Sequence, residues 1–277
     1  VAEEVLQNGD ADMISMARPF LADADFVNKT ATGRSDEINT CIGCNQACLD
    51  HIFSGEMTTC LVNPRACFET EINIIPTKTV KNIAVVGAGP SGLSASTALA
   101  EAGHVVTLFD GESGIGDQFN IAKQVPGKEE FEETIRYFSR QLELTGVTVR
   151  LNTRISANEL YNSDFDEVVI ATGINPRMPP IEGIEHAKVL NYIDVLKHKE
   201  AVGKKVAVID AGGIGFDVSE YLVHSGEGTS QNIEAYMKEW GGDMTLQARA
   251  GIEGADVAAE LDAKRAIKQG LVLATQL

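Results

Sequence analysis

Four cysteines, Cys41, Cys44, Cys48 and Cys60, stand in a C-x2-C-x3-C-x11-C spacing. The first three lie too close together to share one helix face, so the loop that carries them must wrap around something. Soft thiolate clusters select zinc or iron–sulfur cores. Structural zinc usually takes two separated cysteine pairs, whereas a triplet with a distant fourth better matches the ligation of a [4Fe–4S] cube. Zinc remains the alternative. Disulfide stapling fits less well, because cysteines this localised cannot brace a chain of 277 residues. Gly43 and Ala47 are small enough for the backbone to approach an inorganic core. Cys67 falls outside the pattern and reads as a small packed residue or a spare thiol. His51 reads as a solvated or packed side chain, since four cysteines suffice.

A second chemistry is written in glycines. Gly87-Ala88-Gly89-Pro90-Ser91-Gly92 follows the apolar run Lys81–Val86 and opens a helical pattern, and Asp110 ends the next apolar run. A bare G-x-G-x-x-G is weak, but between a strand and a helix, with an acid at that distance, it predicts dinucleotide binding. Gly87 permits the tight turn, Gly89 lets backbone approach a pyrophosphate, and Gly92 lets helix and strand pack closely. Asp110 would accept hydrogen bonds from a ribose. Ala171-Thr172-Gly173 follows a further apolar run and adds weight toward FAD, with a purely structural glycine turn as the alternative.

Asp210-Ala211-Gly212-Gly213-Ile214-Gly215 repeats the theme with a defect. Gly212, Gly213 and Gly215 suit a nicotinamide-nucleotide turn, but its first glycine is replaced by Asp210. A carboxylate there would repel a pyrophosphate and bring a Cβ where the turn wants none. The turn reads as a weakened nucleotide site, or as one retained only for structure.

Positioning these residues requires an α/β architecture. Residues 1–35 read as helix, a short strand Met13–Met16, and a loop opening on Arg18; residues 36–78 form a loop-rich metal segment. From 79 to 185 strands and helices alternate. Lys81–Val86, Val105–Phe109, Val147–Leu151 and Glu167–Ile170 are strands, and Ser91–Ala102 and Glu129–Leu144 are helices. That rhythm predicts a doubly wound, Rossmann-like parallel sheet. Residues 186–250 begin a second nucleotide-binding fold with strand Lys205–Ile209 and a helix to Val223, but leave it incomplete. Residues 251–277 hold a last helix, Gly254–Gly270.

The bulk properties exclude some functions. The net charge of −17, from 40 acids against 23 bases, repels phosphate backbones and argues against nucleic acid or an anionic membrane as partner. The uncharged stretch 82–100 is interrupted by glycine, proline and serine, and reads as strand, turn and helix rather than a membrane span. No basic, then apolar, leader is visible after Val1, so a cytoplasmic location is expected.

With these motifs in place, the chain resembles the C-terminal part of bacterial NADPH-dependent 2,4-dienoyl-CoA reductases. These belong to the wider old-yellow-enzyme and trimethylamine-dehydrogenase-like group of iron–sulfur flavoproteins. The likeness rests on Ser15–Asp23, Cys41–Pro64, Gln118–Lys123, Gly212–Asp217 and Glu260–Ile267. It implies that Ala17 and Arg18 end an FMN-binding (β/α)8 barrel and hold the FMN phosphate. It also implies that the four cysteines ligate the cluster, that Ser91, Asp110, Gln118, Lys128 and Ile155 contact FAD, and that Gly254 returns to the FAD. Electrons would pass from NADPH through FAD and the cluster to FMN, which reduces an enoyl or dienoyl thioester. Residues 1–35 could hold only the end of that barrel, so the resemblance implies a barrel domain or separate subunit as partner. Asp117, just before Gln118, departs from the family's glycine, and a long stretch of the nicotinamide domain is missing after residue 251.

Overall fold

The computed structural model describes residues 2–224, 229–230, 232–240, 242 and 244. The chain divides into two compact units, Val1–Asp117 with Glu132–Gly173, and Gln118–Phe131 with Ile174–Leu277.

The first unit opens with three short helices, α1 (Ala2–Gln7), α2 (Arg18–Ala22) and α3 (Phe26–Ala31). Pro19 sits in the first turn of α2, where a missing N–H costs nothing. The expected strand Met13–Met16 is not formed, and the expected loop at Arg18 is helix. A strand needs a neighbour to take its backbone hydrogen bonds, and none of the described strands lies beside Met13–Met16.

After the cysteine segment, which contains a π-turn (Gln46–Asp50) and the single turn α4 (His51–Phe53), the nucleotide fold begins. Strand β1 (Asn82–Val86), helix α5 (Pro90–Glu101) and strand β2 (Val105–Phe109) follow in order. Next come α6 (Gln118–Ala122), which belongs to the second unit, then α7 (Phe131–Thr145), β3 (Thr148–Arg150), α8 (Ala157–Tyr161) and β4 (Glu167–Ile170). The four strands form one parallel sheet in the order β3-β2-β1-β4. The chain moves outward from β1 through β2 to β3, then crosses back to place β4 on the other side of β1. The resulting crevice, at the carboxyl ends of β1 and β4, is where open α/β sheets bind ligands.

Central β1 is covered on both faces, as its run of β-branched and small residues requires. Val85, Leu93 and Leu108 are fully buried, each contributing about 1.5–3 kcal/mol by leaving water. They pack with Val106, Leu142 and Val147 in one core. The edge strand β4 is different, with Val168 40% and Ile170 66% exposed.

The second unit contains α6, α9 (Tyr192–Leu196), α10 (Gly213–Val223) and α11 (Ile233–Trp240). Ile121, Val125 and Leu196 form its small core, against which Tyr192 and Val218 pack. Asn191 caps α9 by accepting from the N–H groups of Ile193 and Asp194. The expected strand Lys205–Ile209 does not form. Ile209 is 78% exposed, and the run has no neighbouring strand among the described residues to pair with. The predicted helix Gly254–Gly270 lies outside the described residues. No described helix is long and apolar enough to cross a membrane.

Candidate functional site: a thiol cavity and two glycine turns

Cys41, Cys44, Cys48 and Cys60 line a single cavity, together with Arg18, Leu21 and Ile42. Two left-handed residues, Gly43 (φ +64) and Asn45 (φ +59), alternate with the first cysteines and curl the loop inward. Glycine adopts this conformation freely, and asparagine tolerates it better than most residues. The Thr59 N–H donates to the Ala47 carbonyl at 2.9 Å, which brings the distant fourth cysteine to the other three. Cys60 also bridges Asn63.

All four thiols are half-buried and free. Burial pushes the Cys60 thiol above its usual range; backbone hydrogen bonds from Val62 and Asn63 oppose the rise, and neighbouring Cys41 and Cys44 add to it. Among the described residues no three His, Cys, Asp or Glu side chains close on a single-ion position. Four soft donors around a shared cavity, with N–H groups aimed at one sulfur, fit an iron–sulfide core.

A polar scaffold that sequence reasoning missed holds this loop. Asp23 is 6% exposed and accepts from Lys29 Nζ at 2.6 Å and from the N–H groups of Asn39 and Asp25. Asn39 and Asn63 then donate to the carbonyls of Val62 and Leu21. From α7, Arg136 donates to the carbonyls of Asp36 and Ile38 at 2.7 Å, directly ahead of Cys41. Nothing local in the sequence marks the contacts of Asn39, Asn63 and Arg136, because each spans 16 positions or more.

Cys67 is exposed rather than packed, in a left-handed turn with φ +65. His51 behaves as expected, with Nδ1 3.1 Å from the Met57 carbonyl oxygen. Ala17 caps α2 with its backbone. Arg18 turns its guanidinium to Asn45 Oδ1 at 2.6 Å, which uses one of its five N–H donors. The remaining donors suit a phosphate such as that of FMN.

The first glycine turn has the form a dinucleotide requires. Gly87 has φ +109, and a Cβ there would lie 2.2 Å from the Ala171 carbonyl oxygen. The Ala171–Gly173 segment thus lies directly beside the turn, at the mouth of the β1/β4 crevice. A Cβ on Gly92 would meet the Gly87 oxygen at 1.8 Å, so only glycine lets α5 start this close to β1. Ser91, in the first turn of α5, is exposed. Asp110 accepts from the Ala88 N–H at 2.6 Å and the Glu112 N–H at 2.7 Å, so it braces the turn. Its two oxygens offer about four acceptor sites, which leaves capacity for ribose hydroxyls. Ile155 is half-buried just after Thr153, whose N–H donates to the Asp110 carbonyl. These residues fit an FAD pyrophosphate and ribose with one conflict. Asp117, at φ +40, places Oδ2 3.5 Å from a Cβ position on Gly89 and 3.3 Å from one on Gly173. An acid covers the glycine meant to approach the phosphates.

Two further expected FAD contacts belong to the second unit. Gln118 Oε1 accepts from the Tyr192 hydroxyl at 3.1 Å, and Lys128 pairs with Asp217 at 2.6 Å. Gly254 lies outside the described residues.

At the second glycine turn Gly212 caps α10, and Gly213 starts it. A Cβ on Gly215 would lie 2.5 Å from the Asp210 carbonyl oxygen, the same close packing as at Gly92. The Asp210 side chain, however, accepts from the Gly212 N–H at 2.8 Å and the Gly215 N–H at 3.0 Å. As it stands this turn does not fit an NADP or NAD pyrophosphate.

Comparison with known proteins adds to this geometry. The family described as pyridine nucleotide-disulphide oxidoreductase matches residues 81–262. A metal reductase of Desulforamulus reducens is 34% identical over 241 residues, which is 86% of this chain and 36% of that protein. An NADH oxidase of Thermoanaerobacter brockii is 34% identical over 81% of this chain and 36% of its own length. A solved 2-naphthoyl-CoA reductase, in complex with 2-naphthoyl-CoA, aligns at TM-score 0.77 and 36% identity, covering 80% of this chain and 34% of that one. The chain spans about a third of the length of these curated relatives.

Proposed function

Because the chain belongs to the pyridine nucleotide-disulphide oxidoreductase family, we propose that it is the electron-relay portion of a larger iron–sulfur flavoprotein reductase. The observation that carries this reading is that one compact unit holds both a four-thiol cavity and a dinucleotide-type glycine turn. Bound FAD would accept a hydride from NAD(P)H and release electrons singly, and a [4Fe–4S] cluster would pass them on to FMN.

The chain's own residues bind and orient. Cys41, Cys44, Cys48 and Cys60 would hold the cluster, and Arg136 with the Asp23 network keeps their loop in place. Gly87, Gly89 and Gly92 would admit the FAD pyrophosphate, Ser91 and Asp110 would take its polar groups, and Ala17 with Arg18 would meet the FMN phosphate. The final acceptor would be an unsaturated CoA thioester, such as a 2,4-dienoyl-CoA, reduced on a barrel domain or subunit. The relative solved with 2-naphthoyl-CoA supports that class of substrate, and the relative named as an NADH oxidase supports a nicotinamide reductant.

A second reading, a non-catalytic remnant that binds at most the cluster and FAD, draws support from Asp117 and Asp210. Anaerobic reconstitution with iron and sulfide, followed by visible absorption and flavin release on denaturation, tests the relay. Broad cluster absorbance with stoichiometric FAD is expected; colourless, flavin-free protein overturns it. NAD(P)H-driven reduction of an artificial acceptor then separates relay from remnant.

A further inference from the structure

We propose that Asp210 is a built-in substitute for a nucleotide phosphate. Its carboxylate holds the N–H donors of the second glycine turn, and a dinucleotide binds there only by displacing it. Two turns of the same design in one chain make the comparison internal. In both, a Cβ on the third glycine would run into the carbonyl oxygen of the first position, 1.8 Å from that of Gly87 at Gly92 and 2.5 Å from that of Asp210 at Gly215. The turns part at that first residue. Gly87 takes φ +109, whereas Asp210 is not among the described non-glycine residues with positive φ. Its side chain instead folds forward over the start of α10, with Oδ1 on the Gly212 N–H at 2.8 Å and Oδ2 on the Gly215 N–H at 3.0 Å.

The start of an 11-residue helix carries a partial positive charge and unpaired N–H groups, the features that attract a pyrophosphate. Here a fixed carboxylate satisfies both. Tethered two residues ahead of Gly212, it acts at an effective concentration of about millimolar or more. Free nucleotide must outcompete it and also bring further negative charge beside it. At the first turn the acid that accepts from the backbone, Asp110, comes from the end of the neighbouring strand and takes the Ala88 N–H, not from the turn's own first position. Asp210 therefore sets the affinity of the second turn for nicotinamide dinucleotides without touching the cluster or flavin residues. The inference rests on the nucleotide-fold reading of residues 205–223 and is independent of cluster and FAD loading.

The test titrates the full chain with NADH and with NADPH, following nucleotide fluorescence, for the unmodified protein, Asp210→Gly and Asp210→Asn. Asp210→Gly is expected to lower the dissociation constant about 10-fold or more, and Asp210→Asn, which keeps the shape but removes the charge, about 3-fold. Amide NMR supplies a readout free of nucleotide: the Gly212 and Gly215 N–H resonances should move upfield in Asp210→Gly as they lose a charged acceptor. Equal affinities across the three proteins overturn the proposal, as does an absence of binding in all three. Unshifted glycine amides overturn it too. Should Asp210→Gly fail to fold, Asp210→Asn carries both measurements. Visible absorbance of the reconstituted cluster, read on the same samples, fails or holds separately from these outcomes.

Discussion

The Arg18 guanidinium donates to Asn45 Oδ1 at 2.6 Å and so ties helix α2 to the left-handed residue between Cys44 and Cys48. Asn45 therefore does two jobs: it tolerates φ +59 and it anchors a cation beside the thiols. Asn45→Gly keeps the backbone conformation and loses only the anchor, so cluster content after reconstitution should stay near that of the parent. Asn45→Ala loses the anchor and adds about 1 kcal/mol of left-handed strain. It should reconstitute less cluster and lose it faster on exposure to air, measured by visible absorbance and iron content. Equal cluster content in the two variants would contradict this account.

Gly92 and Gly89 separate packing from ligand approach. Gly92→Ala drives a methyl into the Gly87 carbonyl, so α5 must shift; a loss of about 1–3 kcal/mol in denaturant unfolding is expected. Gly89→Ala meets nothing closer than the Asp117 side chain at 3.4 Å, so stability should hold while FAD retention after gel filtration falls. Asp117→Gly should act oppositely, raising FAD retention by uncovering Gly89 and removing a side chain from φ +40. A Gly89→Ala protein that retains FAD fully would argue against a pyrophosphate at this turn.

Breaking the Asp23–Lys29 pair should be costly because both groups are largely buried. Asp23→Ala leaves the lysine ammonium with only the Glu37 carbonyl and the Asn39 N–H without its acceptor, at about 3–5 kcal/mol. The double variant Asp23→Ala with Lys29→Met should recover part of that loss. Urea denaturation measures both, and a single variant within 1 kcal/mol of the parent, on the order of a surface pair, would show that the network does not brace the cysteine loop.

Tyr137 on α7 supplies a pH dependence. Burial, reinforced by the charges of Asp23 and Glu101, pushes its hydroxyl up to about 12. The folded state thus holds this proton more tightly than the unfolded chain, whose tyrosines titrate near 10. The associated stability is full below pH ~10 and is lost as pH rises from there through about 12. The loss amounts to about 2–3 kcal/mol at most. Ultraviolet difference titration should show one tyrosine ionising well above the others, absent in Tyr137→Phe. A single transition near pH ~10 for all tyrosines would contradict the burial.

The parallel sheet and the glycine turns were legible because their signals are local. An apolar run, a glycine at fixed offsets and an acid ending the next strand lie within one β–α–β unit, and the chain's stiffness carries that spacing into three dimensions. Met13–Met16 and Lys205–Ile209 carry the same β-type composition, yet neither forms a strand in the described chain. A strand is completed by hydrogen bonds from a neighbour, and composition says nothing of whether one is present. Cys67 misled for a related reason: a cysteine's burial depends on what surrounds it.

By itself the sequence determined which atoms can do chemistry here: four soft thiols in one short stretch, and backbone bared by glycine at two turns. Only the tertiary structure decided how those atoms are used. It set Thr59 against Ala47 so that Cys60 reaches the other cysteines, and it brought Asp23 and Arg136 beneath their loop. It also turned Asp210 onto the N–H groups of its own helix. The first two depend on hydrogen bonds between distant positions, which exist only once the chain has folded back on itself, and the third on the direction that the start of α10 gives its N–H groups.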